Sequence, residues 1–403
     1  MTSSCHDIWI AALNWYVDPN SGVTRVGTEN GVAISRRLAH AAVALALSLI
    51  SVSGGVTTDR VAHAAPAESP VLIDDASRDV QVRHPAASCS AYRVPVSLAM
   101  IGTAHLYGEL CTPLGAPSTH SAVQLLVPGS TYNHIYYDMP VRPGTYSYVA
   151  TALDAGYSTF NIDRLATGRS SLPPSASYTF DAGVEALHQV VTALRSGAIG
   201  DRPFDTVVWV GHSLGSSMAW SAAANHRDID AFVLTGMSHV VQESVPDGGP
   251  AADVPFEVPA ISDPMFRDTV ADPGYRTTNA GMRRFFYYGP NADPAVIAAD
   301  EAHKDLSTVQ DTRFPEAVPS QSLSWSIAVP TLLVVGDRDQ YCTVPVCTPE
   351  SILQHERPYY SPEAGLDAIV VGDSGHSVQL HENAPQTNAA ILEWLSVAAP
   401  SNR

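Results

Sequence analysis

Short apolar runs recur along most of the chain, with amphipathic stretches between them. AVQLLVPG (122–129), YSTFNID (157–163), DTVVWV (205–210), DAFVLTG (230–236), VPTLLVVGD (329–337) and DAIVVG (367–372) are bounded by turn residues and rich in β-branched side chains. Each predicts a buried strand. Between the second and third, Asp181–Arg195 places Val184, Leu187, Val190, Val191 and Leu194 on one face, with Gly197 just beyond, which predicts an amphipathic helix with a glycine stop. Tyr146–Ala155, stopped by Gly156, and the stretch around Thr387–Leu395 predict two more helices. Apolar strands alternating with amphipathic helices predict an α/β fold: a mostly parallel sheet with helices on both faces. Upstream, SAYRVPVSLA (90–99) and AHLYGELCTP (104–113) read as two strands around a turn near Met100.

The rhythm breaks between Val240 and Ser326, where the pattern predicts no strand. Pro246, Pro250, Pro255, Pro259 and Pro264 punctuate the first part. MRRFFYYGP (282–290) follows, then a helix with Asp293 at its N-cap and Pro294 in its first turn. A long insertion between two core strands is usually functional. The expected division is a core in two parts, 65–240 and 326–403, with residues 241–325 inserted as a lid.

Residues 1–64 stand apart. Arg36 and Arg37 precede an apolar run from Leu38 to Val52, and Ala62-His63-Ala64 follows a polar stretch. This is the order of a secretory signal, about residues 33–64, behind an N-terminal extension, and the run is too short for a stable membrane anchor. The expected location is outside the cell. Beyond this segment four cysteines remain, Cys89, Cys111, Cys342 and Cys347, an even number in a chain read as exported. Cys89 and Cys111 lie equally far from the turn near Met100, so an antiparallel hairpin would set them opposite each other. Cys342 and Cys347 would then close a small loop. No cysteine or histidine spacing is that of a metal site. Lys and Arg number 22 against 40 Asp and Glu, a net charge of -18. That charge gives nucleic acid no basic face to bind.

The chemistry gathers where a parallel sheet puts it, beyond the carboxyl ends of the strands. In VVWVGHSLGSSMAW (207–220) a strand turns into a helix, with Ser213 between Gly211 and Gly215. That is the context of a G-x-S-x-G nucleophile elbow. Asp337-Arg338-Asp339 follows the strand at 329–337, and Asp373-Ser374-Gly375-His376 follows the strand at 367–372. A hydroxyl needs a base to take its proton, and the base needs a carboxylate to hold its tautomer.

VPG (127–129), NIDRLATGRS (161–170), GHSLG (211–215), GDRD (336–339) and GH (375–376), in this order, make the chain resemble the α/β-hydrolase superfamily, in the manner of secreted bacterial serine esterases and lipases. The resemblance spans Ala122 to about Leu395. It implies Ser213 as nucleophile, Asp339 as the acid in preference to Asp337, and His376 as base. It also implies an oxyanion hole made of the Leu214 amide and the amide of Ser130, with Thr131 as the alternative, because this chain has Pro-Gly where many relatives have His-Gly. Thr131, Tyr132, His134, Phe285 and Tyr287 are the candidate pocket residues. The expected activity is hydrolysis of neutral, moderately hydrophobic esters or lactones, without cofactor or metal. Acyl transfer on the same triad is the alternative, and a binding protein on a hydrolase fold is a third reading.

Overall fold

The computed structural model forms two units, Met1–His63 and Ala64–Arg403. It describes residues 68–73, 82–115, 122–239, 254–311, 319, 321–342 and 347–399, together with the two strands of the first unit. In that unit β1 (Tyr16–Val17) pairs antiparallel with β2 (Thr24–Arg25). The signal expected at 33–64 lies outside the described residues, as do residues 241–253, 312–318 and 320 of the insertion.

In chain order, the second unit has β3 (Val71–Leu72), β4 (Ala87–Leu98), β5 (Gly102–Pro113), β6 (Ala122–Val127), β7 (Ser158–Ile162), β8 (Thr206–His212) and β9 (Ala231–Thr235). The insertion carries β10 (Glu257–Pro259), β11 (Tyr275–Thr278) and β12 (Ser307–Thr308), and β13 (Thr331–Gly336) and β14 (Asp367–Val371) complete the set. Nine of these form one sheet, in the order β14-β13-β9-β8-β6-β7-β5-β4-β3. From β14 to β7 all neighbours are parallel, whereas β5, β4 and β3 add an antiparallel edge. In the long hairpin Cys89 stands opposite Cys111, and the two are bonded; Cys342 and Cys347 form a second disulfide.

The helices are α1 (Pro143–Tyr146), α2 (Tyr148–Asp154), α3 (Phe180–Ser196), α4 (Leu214–Asn225), α5 (Pro294–Ala302), α6 (Pro349–Glu356) and α7 (Ala384–Ala398). Ser147 interrupts the helix expected at 146–155: its hydroxyl accepts from the Ala150 amide at 2.9 Å and caps α2. Period-two alternation sends successive strand residues to opposite faces. Val123, Leu125 and Val127 of β6 pack with α3, α4 and α6, through Val190, Met218 and Ile352. Leu126 packs on the other side with α2 and α7, through Val149 and Ile391. Each such side chain, fully buried, contributes about 1.5–3 kcal/mol.

The insertion corrects the sequence reading, because β10, β11 and β12 form their own antiparallel sheet. They are only two to four residues long. The buried members include Thr277, Thr278, Ser307 and Thr308, so no apolar alternation marks them.

The central β6 has β7 on one side and β8 on the other. After β7 the chain crosses back over β6 and builds outward in the opposite direction. The carboxyl ends of β6 and β8 therefore flank a topological switch point, where open α/β sheets bind their ligands.

Candidate active site

Ser213 is the corner between β8 and α4. Its backbone has φ 51° and ψ -113°, a conformation that a side-chain-bearing residue holds only under constraint. The constraint is visible: its N–H donates to Thr235 O at 2.8 Å, and its carbonyl accepts from Ser216 N at 2.9 Å and Ser217 N at 3.1 Å. Two glycines make the corner possible. A Cβ on Gly211 would sit 2.6 Å from Gly215 O, and one on Gly215 would strike the Val127 carbonyl. The loop after β6 is also pressed against the corner, since a Cβ on Gly129 would lie 3.1 Å from Ser213 Cβ.

The loops after β13 and β14 bring the candidate acid Asp339 and the candidate base His376 together. His376 Nδ1 lies 3.1 Å from both carboxylate oxygens of the buried Asp339. The Tyr341 amide donates to Asp339 Oδ1 at 3.2 Å, just ahead of the Cys342–Cys347 disulfide. Asp337 faces another way, accepting from the Ser374 amide at 3.3 Å and lying 3.7 Å from Arg338 Nε. The Ser213 hydroxyl has no hydrogen bond to another described residue, and catalytic hydrogen bonds commonly close only once substrate is bound. Its neighbour His212 has its ring centroid 4.9 Å from that of His376.

His212 itself is packing. It is buried, stacks on Tyr136 at 4.2 Å and pairs through Nδ1 with Thr235 Oγ1 at 3.1 Å. Burial, then the nearby His376 and Arg283, push its pKa well below the ordinary histidine value, so it is neutral. His381 fixes the base's loop: its Nε2 accepts from Gly375 N at 3.0 Å and from Tyr288 N of the insertion at 2.9 Å.

The Leu214 amide opens α4, where N–H groups have no intrahelical partner and the dipole favours negative charge. The amides of Ser130 and Thr131 likewise have no hydrogen-bond partner among the described residues. Arg164, at the end of β7, anchors this loop from below: Nε donates to Pro128 O and Nη2 to Gly129 O, both at 3.0 Å.

A cavity of about 270 Å³ opens beside the histidine, lined by Phe256, Phe285, Phe286, Arg338, Asp339, Gln340 and His376. Of the expected pocket residues only Phe285 lies on it. Tyr287 is buried with its hydroxyl on Asp300 Oδ2 at 2.7 Å. Tyr132 is buried too, bonding Asp300 at 3.1 Å and Ser377 Oγ at 2.7 Å. His134 pairs with the buried Asp163 at 2.7 Å, and the buried Thr131 hydroxyl donates to Ser130 O at 2.7 Å and accepts from Arg283 Nη1 at 2.9 Å. In each case a polar tip found a buried partner, while the plain phenyl rings were left to face the cavity. Phe286 stood in the same aromatic quartet, so it was within reach of the sequence; Phe256, Arg338 and Gln340 carried no such signal. A second cavity of about 460 Å³, lined by Trp325, Arg357, Tyr360 and Leu366 among others, touches none of the candidate catalytic groups.

Among the described residues no cluster of His, Cys, Asp or Glu could hold a metal ion, and no helix is long and apolar enough to cross a membrane. No curated protein matches the chain in sequence. Among solved structures, it is similar to a soluble variant of monoglyceride lipase from Saccharomyces cerevisiae in complex with a substrate analogue. The two share 14% identity over 74% of this chain and 93% of that one, with a TM-score of 0.51. It is also similar to a highly thermostable carboxyl esterase from Bacillus coagulans in complex with glycerol, with 13% identity, 76% and 98% coverage and a TM-score of 0.50. At such identities the likeness concerns the fold, a mostly parallel sheet with helices on both faces. The family model described as "Alpha/beta hydrolase family" matches residues 124–390. With that match over most of the chain, around the elbow and the histidine–aspartate pair, the protein belongs to the alpha/beta hydrolase family.

Proposed function

We propose that the protein is an exported serine hydrolase that cleaves neutral, moderately hydrophobic carboxylic esters, lactones included. The observation that carries this reading is the buried His376–Asp339 pair beside a serine on a strained corner. In the proposed reaction, His376 Nε2 takes the Ser213 hydroxyl proton as Oγ attacks the ester carbonyl. Asp339 holds Nδ1–H toward itself and stabilises the imidazolium. The tetrahedral oxyanion lies against the amides of Leu214 and of Ser130 or Thr131. Collapse expels the alcohol, which takes the proton from His376, and leaves an acyl group on Ser213. Water, deprotonated by the same histidine, then releases the acid and restores the serine.

Phe256, Phe285 and Phe286 suit an apolar acyl group or ring, and the net charge of -18 disfavours anionic substrates at long range. The test is labelling by a fluorophosphonate together with turnover of a graded panel of chromogenic esters. Stoichiometric labelling at Ser213 with ester turnover is expected. A folded protein that takes no label and turns over no ester overturns the reading.

A further inference from the structure

We infer that Arg283, a side chain of the insertion, is a positioning residue that holds the oxyanion loop in its working shape. The inference rests on the serine-hydrolase reading above, and begins with the four consecutive carbonyls of residues 128–131. Every one is captured. Arg164 takes Pro128 O and Gly129 O at 3.0 Å each, and the Tyr132 amide also donates to Gly129 O at 3.2 Å. The Thr131 hydroxyl donates to Ser130 O at 2.7 Å. Arg283 Nη1 donates to Thr131 O at 3.0 Å and to Thr131 Oγ1 at 2.9 Å, while the Asp305 amide donates to Thr131 O at 2.8 Å. A captured carbonyl fixes its peptide plane, and among the described residues the N–H groups of Ser130 and Thr131 remain unpartnered, just after Gly129, which is pressed against Ser213.

Thr131 is the weak point of this loop. It is β-branched and sits at φ 58°, a left-handed conformation it adopts only when its surroundings over-determine it. Among the described residues, Arg283 is the group that grips it through both carbonyl and hydroxyl, and the hydroxyl relays that grip to Ser130 O. The arginine is itself held rigidly. It is fully buried, its Nε donates to Asp300 Oδ1 at 2.7 Å, Nη2 lies 2.6 Å from the same oxygen, and its guanidinium carbon is 3.8 Å from the Tyr132 ring centroid. The planar fork serves Asp300 through Nε and Nη2 and Thr131 through Nη1, whereas a lysine would have to serve both from one compact ammonium nitrogen. The insertion thereby contributes to the catalytic frame, beyond covering it.

The test is steady-state kinetics on one chromogenic ester with Arg283→Lys, Thr131→Val and the double variant, each checked for a native circular dichroism spectrum. Arg283→Lys keeps a charge against Asp300, and Thr131→Val deletes only the hydroxyl relay. Losing a whole oxyanion donor lowers kcat by about 10²–10³. Loosening one should lower it by roughly tenfold or more in each single variant, with KM changed by less than about twofold. The double variant should fall no further than the worse single, because both changes cut one link. An unchanged kcat, a loss confined to KM, or losses that multiply would each overturn the inference, as expected of an arginine that only pins the insertion. If Arg283→Lys does not fold, Thr131→Val alone decides by the same kcat and KM criteria. Turnover that survives Ser213→Ala would overturn the serine-hydrolase reading itself; an inactive Ser213→Ala beside an unimpaired Arg283→Lys removes only the role of Arg283.

Discussion

Ser213 holds its corner through backbone bonds, so its hydroxyl can be removed without disturbing the strand or the helix. Ser213→Ala is expected to melt like the parent and to lose turnover by roughly 10⁴-fold or more. Wild-type-like turnover in the folded variant would remove the serine from the mechanism. The two aspartates separate as cleanly. Asp339→Asn leaves His376 in the wrong tautomer and should cost about 10⁴ in kcat, whereas Asp337→Asn should stay within a fewfold. The reverse ranking would transfer the acid role to Asp337. A third residue sets an acid limit. Burial, against the Ser377 carbonyl that favours its charged form, holds His381 down to about 4 from an ordinary 6.5. The unfolded chain therefore takes up this proton first, and the stability contributed by neutral His381 is whole above pH 6.5 and is lost as pH falls toward 4. The loss across that window is about 3 kcal/mol. His212, also held neutral by burial, adds in the same direction. His381→Gln keeps an acceptor without a titrating ring, so its Tm should fall less steeply between pH 6.5 and 4; an unchanged slope would remove His381 from the acid response. At this scale the placement of Ser213, Asp339 and His376 beyond the carboxyl ends of the sheet is legible because each follows its strand by a few residues. Tyr287 was misplaced because nothing local says that its hydroxyl will find Asp300, and Arg283 went unread because its partner Thr131 is 152 positions away.

Elements with one dominant signal are legible in the sequence, and elements with mixed signals are not. The buried strands of the central sheet announced themselves as apolar runs, and α3 ends where Gly197 takes φ 75°. The hairpin of β4 and β5 was fixed by symmetry about its turn, so the position of Cys89 against Cys111 followed from counting. The short strands of the insertion are held by buried polar partners: Thr277 Oγ1 donates to Asp305 O at 2.8 Å, and Lys304 Nζ bonds Asp263 and the Thr278 carbonyl at 2.8 and 2.9 Å. Such contacts have no period to detect. The hairpin and the loop after Asp339 predict the covalent outcome. Peptide mapping without reduction should recover Cys89 linked to Cys111 and Cys342 linked to Cys347. Free thiols at all four positions would refute both bonds, and with them the expectation of an exported protein.

At the largest scale, phenyl rings of the inserted segment and the His376–Asp339 pair of the core line one cavity. The Ser377 amide donates to Phe286 O at 3.0 Å, so the residue after His376 is hydrogen-bonded to the insertion's backbone. Phe286 also lies 5.4 Å, centroid to centroid, from His376. On the proposed reading, contacts of this kind put recognition and catalysis in one space, and the cavity of about 270 Å³ gives recognition a finite capacity. Each methylene buried there contributes about 0.8 kcal/mol, or roughly a factor of four in kcat/KM. Specificity should therefore climb by about that factor per carbon along a series of linear acyl esters, then level off when the cavity is full. Phe285→Ala and Phe286→Ala remove part of the wall and should flatten the climb, whereas Tyr287→Phe, whose hydroxyl is turned to Asp300 and which does not line the cavity, should leave the profile's shape intact while lowering Tm. The measurement is kcat/KM across the series for all four proteins. A profile that is flat in the wild type, or one unchanged by both phenylalanine substitutions, would mean that these rings pin the insertion to the core and do not read the substrate.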